Sequence, residues 1–328
     1  MDWLVLEFMG KPAWTWAAFV IVIGVLLAFD LGVLHRKSHA IGVGESLGLS
    51  AFYIAIGLGF GGIIWAWMGS QSAMEYLTGF VVEKSLAMDN IFVIAMIFSY
   101  FAIPAAYQHR VLVYGIIGVL LLRGIMIAAG SAIVTEFSWV LYIFAAFLVV
   151  TGIKMLFTAE KKTDVSKSPA VQFMNRHLNM TKELHGERFF IRLPDAAGKL
   201  KLFVTPLFGA LVLVELADLI FAVDSIPAIF AITTDPYIVL TSNVFAILGL
   251  RALYFALAAM VDRFVYLKYA LATVLIFIGS KIFVADMLGL AKIPPMVSLS
   301  VTLSILAVGI LGSLWKTRNV SAATTQTK

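Results

Sequence analysis

The chain has no cysteine among its 328 residues. That excludes disulfides, thiolate metal cages and thiol redox chemistry together. Charge is scarce too: Asp, Glu, Lys and Arg make up 13% of the residues, about half the share of an ordinary soluble domain. The histidines (His35, His39, His109, His177, His185) all stand in loop-like sequence, so no imidazole cage is expected within the apolar runs. No nucleophile–base pairing or cofactor motif is visible, and neither an enzyme nor a resident cofactor is expected. What the chain does have is apolar: 61% hydrophobic residues and a mean hydropathy of +0.98. This is the composition of an all-α membrane protein, whose segments must each satisfy their own backbone hydrogen bonds in lipid.

Apolar runs of the roughly 20 residues needed to cross a bilayer are read at Trp14–Leu34, Glu45–Met68, Met74–Phe101, Val111–Ala132 and Trp139–Phe157. After a polar stretch they resume at Leu202–Ile232, Tyr237–Met260, Tyr266–Leu288 and Val297–Trp315. About nine transmembrane helices in a single polytopic domain (1–328) are therefore expected. The first run follows acidic residues and is longer than a signal-peptide core, so it is expected to be retained. Counting Lys and Arg in alternate loops gives seventeen on one side against two, Lys11 and Lys292, on the other. The excess marks the cytoplasmic side, placing the N-terminus outside and the C-terminus in the cytoplasm. The formal charge of +5 thus follows topology, and membrane lipid rather than nucleic acid is the implied partner. The segment 158–201 is expected to be a cytoplasmic linker lying against anionic lipid, with a short amphipathic helix at Ala170–Leu178 and an apolar patch at Phe189-Phe190-Ile191.

Two apolar stretches contain acids, and they echo each other. Glu83-Lys84-Ser85-Leu86-Ala87-Met88-Asp89-Asn90 aligns with the stretch from Asp218 to Ser225, matching Glu83 to Asp218 and Asp89 to Asp224 at an offset of 135. Arg123 matches Arg251 and Lys154 matches Lys281 at offsets of 128 and 127. Helices three to five (74–157) are thus read as repeated in helices six to eight (202–288). An offset of three helices inverts the second copy in the membrane. Inverted repeats of this kind characterise secondary transporters, with the substrate site near the midplane where the copies meet.

A charge at a helix centre in lipid costs roughly 2.5–3.5 kcal/mol even on lenient scales, so these acids are expected to face an interior that binds something. Six residues rotate an ideal helix by about 240°, so the acids of each pair share no face unless the helix is enclosed or broken; Pro227 favours a break. Oxygen ligands suit hard divalent cations. The candidate metal residues are Glu83, Asp89, Asp218 and Asp224, with Glu215 as a fifth acid, Asn90 and Ser225 as neutral oxygens, and Met88 as a thioether or mere packing. Lys84, Arg123, Lys154, Arg251 and Lys281 are candidates for structural or gating ion pairs, as is Asp30 at a helix end. A mixed arrangement is expected, in which some acids tether the arginines and the rest bind a cation or proton.

The two acidic segments, together with Asp30-Leu31-Gly32-Val33 and His35-Arg36-Lys37, resemble the TerC family of integral membrane proteins and, within it, the Alx-like branch linked to manganese export. The resemblance implies a place in the LysE-type exporter superfamily, a bacterial inner-membrane location, and a Mn²⁺ site built from the acids of helices three and six. The expected function is efflux of a divalent cation, Mn²⁺ foremost, by alternating access and in exchange for protons. Export of Ca²⁺ or another cation is the alternative within that class. A membrane scaffold of a tellurium-resistance-type stress response, held by purely structural ion pairs, is the alternative outside it.

Overall fold

A computed structural model describes residues 7–32, 43–157, 168–181, 183–194, 200–258, 266–289 and 293–325. A short antiparallel pair, β1 (Glu7–Phe8) and β2 (Lys11–Pro12), leads into α1 (Ala13–Gly32) and α2 (Val43–Tyr100). Next come α3 (Ala105–Glu136), α4 (Val140–Phe157) and α5 (Pro169–His177), then the hairpin β3 (Phe190–Pro194) and β4 (Leu200–Val204). The chain continues through α6 (Pro206–Phe230), α7 (Pro236–Leu248), α8 (Leu250–Ala258), α9 (Leu267–Met287) and α10 (Pro295–Thr325). Six helices among the described residues are long and apolar enough to cross a membrane, and 13–29 and 236–248 are shorter apolar helices.

The chain has nine prolines, and most of them punctuate helix starts. Pro169, Pro206 and Pro236 sit in the first turns of α5, α6 and α7, where the missing N–H has no intrahelical partner to lose. Asp235 caps α7 by accepting from the N–H groups of Tyr237 and Ile238, and its other oxygen pairs with Lys11 at 3.0 Å. Glycine supplies the interruptions. The apolar runs read separately at 45–68 and 74–101 are two helices within the range given as α2, parted at Gly69, whose φ of 87° and ψ of 175° belong to a region open in practice to glycine alone. The second folds back on the first, with Tyr76 donating to Gly57 O at 2.9 Å. The run read at 237–260 is divided at Gly249 into α7 and α8.

One expectation is corrected and one is filled in. Pro227 does not break its helix: α6 continues to Phe230. Proline stands so near the helix end that the bond it forfeits belongs to the last turn, which is closed by Ala231 N–H donating to Pro227 O. The linker is also more structured than foreseen. α5 lies where the amphipathic helix was read, and the segment after it forms the β3–β4 hairpin. The hairpin is fastened to the helices by the Arg110–Glu187 pair at 3.0 Å, by Arg110 stacked over Phe189, and by Thr205 Oγ1 donating to Arg188 O at 2.7 Å. Val171 and Met174 of α5 are buried against the same apolar cluster as Ile97 and Phe98.

The helices meet through small residues and aromatic clusters, as expected where lipid offers no hydrophobic drive. α4 and α9 pack closely through reciprocal contacts. A Cβ at Gly152 would lie 2.7 Å from Ala272 O and 2.7 Å from Ile276, while one at Gly279 would lie 2.5 Å from Ala145 O and 2.9 Å from Val149. Phe19 of α1, Phe60 of α2, and Tyr237 and Phe245 of α7 form an aromatic cluster, with Phe60 and Phe245 only 4.5 Å apart.

Candidate functional site

The interior is organised around one arginine. Arg123, near the middle of α3, is 1% exposed. Its guanidinium grips Asp218 of α6 in a fork, with Nε donating to Oδ2 at 3.0 Å and Nη2 to Oδ1 at 2.8 Å. Nη1 donates to Glu83 Oε1 on α2, to Asn243 Oδ1 on α7 at 3.0 Å, and to Ser225 Oγ on α6 at 3.3 Å. Asn243 Nδ2 in turn donates to Glu83 Oε2 at 3.2 Å. Four helices therefore converge on a closed network in which the planar fork of arginine meets two carboxylates. Such burial requires saturation, because an unpaired charge in this environment is far costlier than an exposed one. Two carboxylates against one guanidinium leave the cluster with a formal surplus of one negative charge when both acids are ionised.

Asn90 of α2 and Asp218 together line a small cavity of about 30 Å³, roughly the room of one water, walled by Gly115, Val119, Val214 and Tyr254. Lys84 points elsewhere. It is buried, and its Nζ donates to Ala246 O at 2.9 Å, in the last turn of α7 just before the Gly249 interruption. A cation there meets the carbonyl-rich end of a helix.

The remaining candidates are dispersed as their helical rotation demands. Asp224, six residues beyond Asp218, turns toward α4, where Thr151 and Lys154 are its polar neighbours. It does not join the Arg123 cluster. Glu215, one turn before Asp218, presses against α3 at Gly115 and Gly118, and neither of its buried carboxylate oxygens has a hydrogen-bond partner among the described residues. Met88 packs with apolar side chains of two core clusters, which is the packing alternative for that residue. Lys281 is buried on α9 beside a larger cavity of about 780 Å³, whose polar lining includes Gln71, Glu75, Ser138, Thr234 and Asp286. The side chains of Asp30, Asp89 and Arg251 lie outside the described residues. Among the described residues no three His, Asp or Glu side chains gather as a metal cage. Asn243 is the member that sequence reasoning missed. Its signal was a polar run, Thr241-Ser242-Asn243, inside an apolar helix.

These features define an integral, multi-pass helical membrane protein with ionisable groups sequestered in its interior. The chain belongs to the TerC family: the family described as integral membrane protein TerC matches residues 68–321. It is 48% identical over 300 residues to an uncharacterized membrane protein of Rickettsia bellii, covering 92% of this chain and 97% of that protein. It is 45% identical over 310 residues to an uncharacterized membrane protein of Myxococcus xanthus, covering 94% of each. It is also 45% identical over 315 residues to an Escherichia coli protein named "Putative membrane-bound redox modulator Alx", covering 93% of this chain and 95% of that one. No solved structure matches the chain.

Proposed function

We propose that this protein exports a divalent cation, Mn²⁺ foremost, from the cytoplasm across the bacterial inner membrane by alternating access. The carrying observation is the Glu83–Arg123–Asp218 cluster, drawn from both halves of the chain and buried. In this reading the chain crosses nine times with its N-terminus outside. α2 beyond Gly69, α3 and α4 form one unit, and α6, α7–α8 and α9 form its inverted copy. The reciprocal contacts support that pairing, since Gly152 and Gly279 and their partners Ala145 and Ala272 are all related by an offset of 127.

Arg123 acts as a tethered cation that keeps Glu83 and Asp218 in place between transport events. The arriving metal ion, the substrate, competes with the guanidinium for those carboxylates, with Asn90, Ser225 and Asn243 as neutral oxygens at hand. Asp89 and Asp224 complete the acidic path, and Glu215 stands beside it as the group carrying a proton. Carboxylates bind metal only when deprotonated, so protons entering from outside release the ion there, and exchange of metal for protons follows. Mn²⁺ over Ca²⁺ rests on the family resemblance. A redox role of the kind named for the Escherichia coli relative cannot run through thiols here, because the chain has none.

The test is Mn²⁺ efflux from cells lacking the protein and complemented with Asp218→Asn or Asp89→Asn. Neither variant is expected to lower cellular Mn²⁺, and normal efflux by both overturns the site assignment. One observation favours a second reading, a scaffold with structural ion pairs: the donors of Arg123 facing the cluster are all engaged. Replacing the trio together (Glu83→Leu, Arg123→Met, Asp218→Leu) separates the two, because apolar replacement of a buried ionic group is often tolerated structurally. A folded triple variant with intact efflux removes the trio from the transport path and leaves it a structural tie, whereas a parent protein that supports no efflux leaves only the scaffold.

A further inference from the structure

The β3–β4 hairpin exposes an apolar face where an ordinary soluble element would be polar. Its register sets Phe190 opposite Val204, Arg192 opposite Leu202 and Pro194 opposite Leu200, and directly opposed residues share one face of an antiparallel pair. That face carries Phe190, Leu200 and Leu202 at 48%, 70% and 55% exposure, with exposed Arg192 between them and Val204 buried at its α6 end. The other face turns Ile191 inward. Phe190 packs against Phe208 with ring centroids 4.7 Å apart and the rings tilted by 49°. Half-buried Phe208 stands on the same side of α6 as Leu216, Ile220 and Val223, which are exposed on a helix apolar enough to span a membrane. At about 100° per residue these positions fall on one side of the helix. The apolar face of the hairpin therefore prolongs the side of α6 that meets lipid, at the level where the span begins. The charge fits the same neighbour: Arg188, Arg192 and Lys201 are exposed, whereas Glu187 is engaged by Arg110.

We propose that the hairpin is a lipid-docking element that seats Phe190, Leu200 and Leu202 at the acyl boundary of the adjoining leaflet while Arg192, backed by Arg188 and Lys201, binds anionic lipid headgroups. Aromatic and aliphatic side chains beneath a basic rim are what an interfacial segment needs, and anionic lipid concentrates on the cytoplasmic leaflet, where Lys and Arg counting puts this loop. The docking does not depend on what is transported.

The absence of cysteine makes the test direct, because any introduced thiol is unique. Single-site variants Leu200→Cys, Leu202→Cys and Lys201→Cys of the full chain are nitroxide-labelled and reconstituted in vesicles of phosphatidylcholine, with or without phosphatidylglycerol. Ile220→Cys serves as the lipid-facing reference. Labels at 200 and 202 should collide with dissolved oxygen in preference to a water-soluble nickel chelate, and the label at 201 should show the reverse. Phosphatidylglycerol should deepen the labels at 200 and 202, and adding Arg192→Gln should abolish that deepening. Nickel-accessible labels at 200 and 202, or a depth indifferent to phosphatidylglycerol, overturns the proposal. Because depth is read without transport, either result leaves the export reading to stand or fall separately.

Discussion

Two carboxylates one helical turn apart on α6 stand in the same interface with α3 and are treated in opposite ways. Asp218 has both oxygens in the fork of Arg123, whereas Glu215 has both oxygens buried against glycine with no partner among the described residues. Burial alone therefore does not decide what an acid does in this protein; the reach of one guanidinium does. Asp218 is held by a network that any movement of α3 against α6 must break. Glu215 loses nothing if the two helices part, and gains whatever polar partner the gap admits. The interface thus contains one latch and one wedge.

The strongest way to break this comparison is to remove the latch. Arg123→Met leaves Glu83 and Asp218 buried without their cation and should cost about 3–5 kcal/mol, read as a loss of thermal stability in detergent. Arg123→Lys should recover only part of this, because an ammonium cannot reproduce the fork. Asp218→Asn keeps the shape but loses the charge-assisted bonds and should cost about 1.5–3 kcal/mol by the same measurement, alongside its loss of efflux. Next comes the wall against which Glu215 rests. A Cβ at Gly118 would lie 2.5 Å from the Glu215 carboxyl carbon, so Gly118→Ala should destabilise by about 1–3 kcal/mol. The double variant with Glu215→Ala should be less destabilised than the sum of the two, a coupling measurable as a double-mutant cycle. The smallest effect has the opposite sign: Glu215→Leu should stabilise this conformation by about 1 kcal/mol while slowing transport. Marked destabilisation by that substitution would show that Glu215 is anchored after all.

The helices were legible because the runs of 18 or more apolar residues leave the backbone one economical solution in lipid. Arg123 was legible as a residue in need of partners, and Glu83 and Asp218 as acids able to supply them. Which acid it would choose was not, because that depends on how α2, α3 and α6 rotate against one another, and rotation is set by packing. The same limit hid Asn243, which in sequence is the last of three polar residues inside an apolar helix. Pro227 misled because the cost of proline depends on its distance from the helix end, and the end lay at Phe230. The hairpin escaped because its strands are five residues each and their pairing, not their composition, brings Phe190, Leu200 and Leu202 to one face.

The sharing of Arg123 between Glu83 and Asp218 also bears on how the chain is made. Glu83 and Arg123 lie in α2 and α3, which leave the ribosome well before α6. While the first half waits in the membrane, the guanidinium already has a carboxylate of its own, so the early helices can be inserted without an uncompensated charge in hydrocarbon. Asp218 then arrives as a late second acid, and its docking on Arg123 reports that the two halves have assembled. In order of synthesis, Glu83 is the carboxylate that accompanies Arg123 into the membrane and Asp218 the one that joins it last.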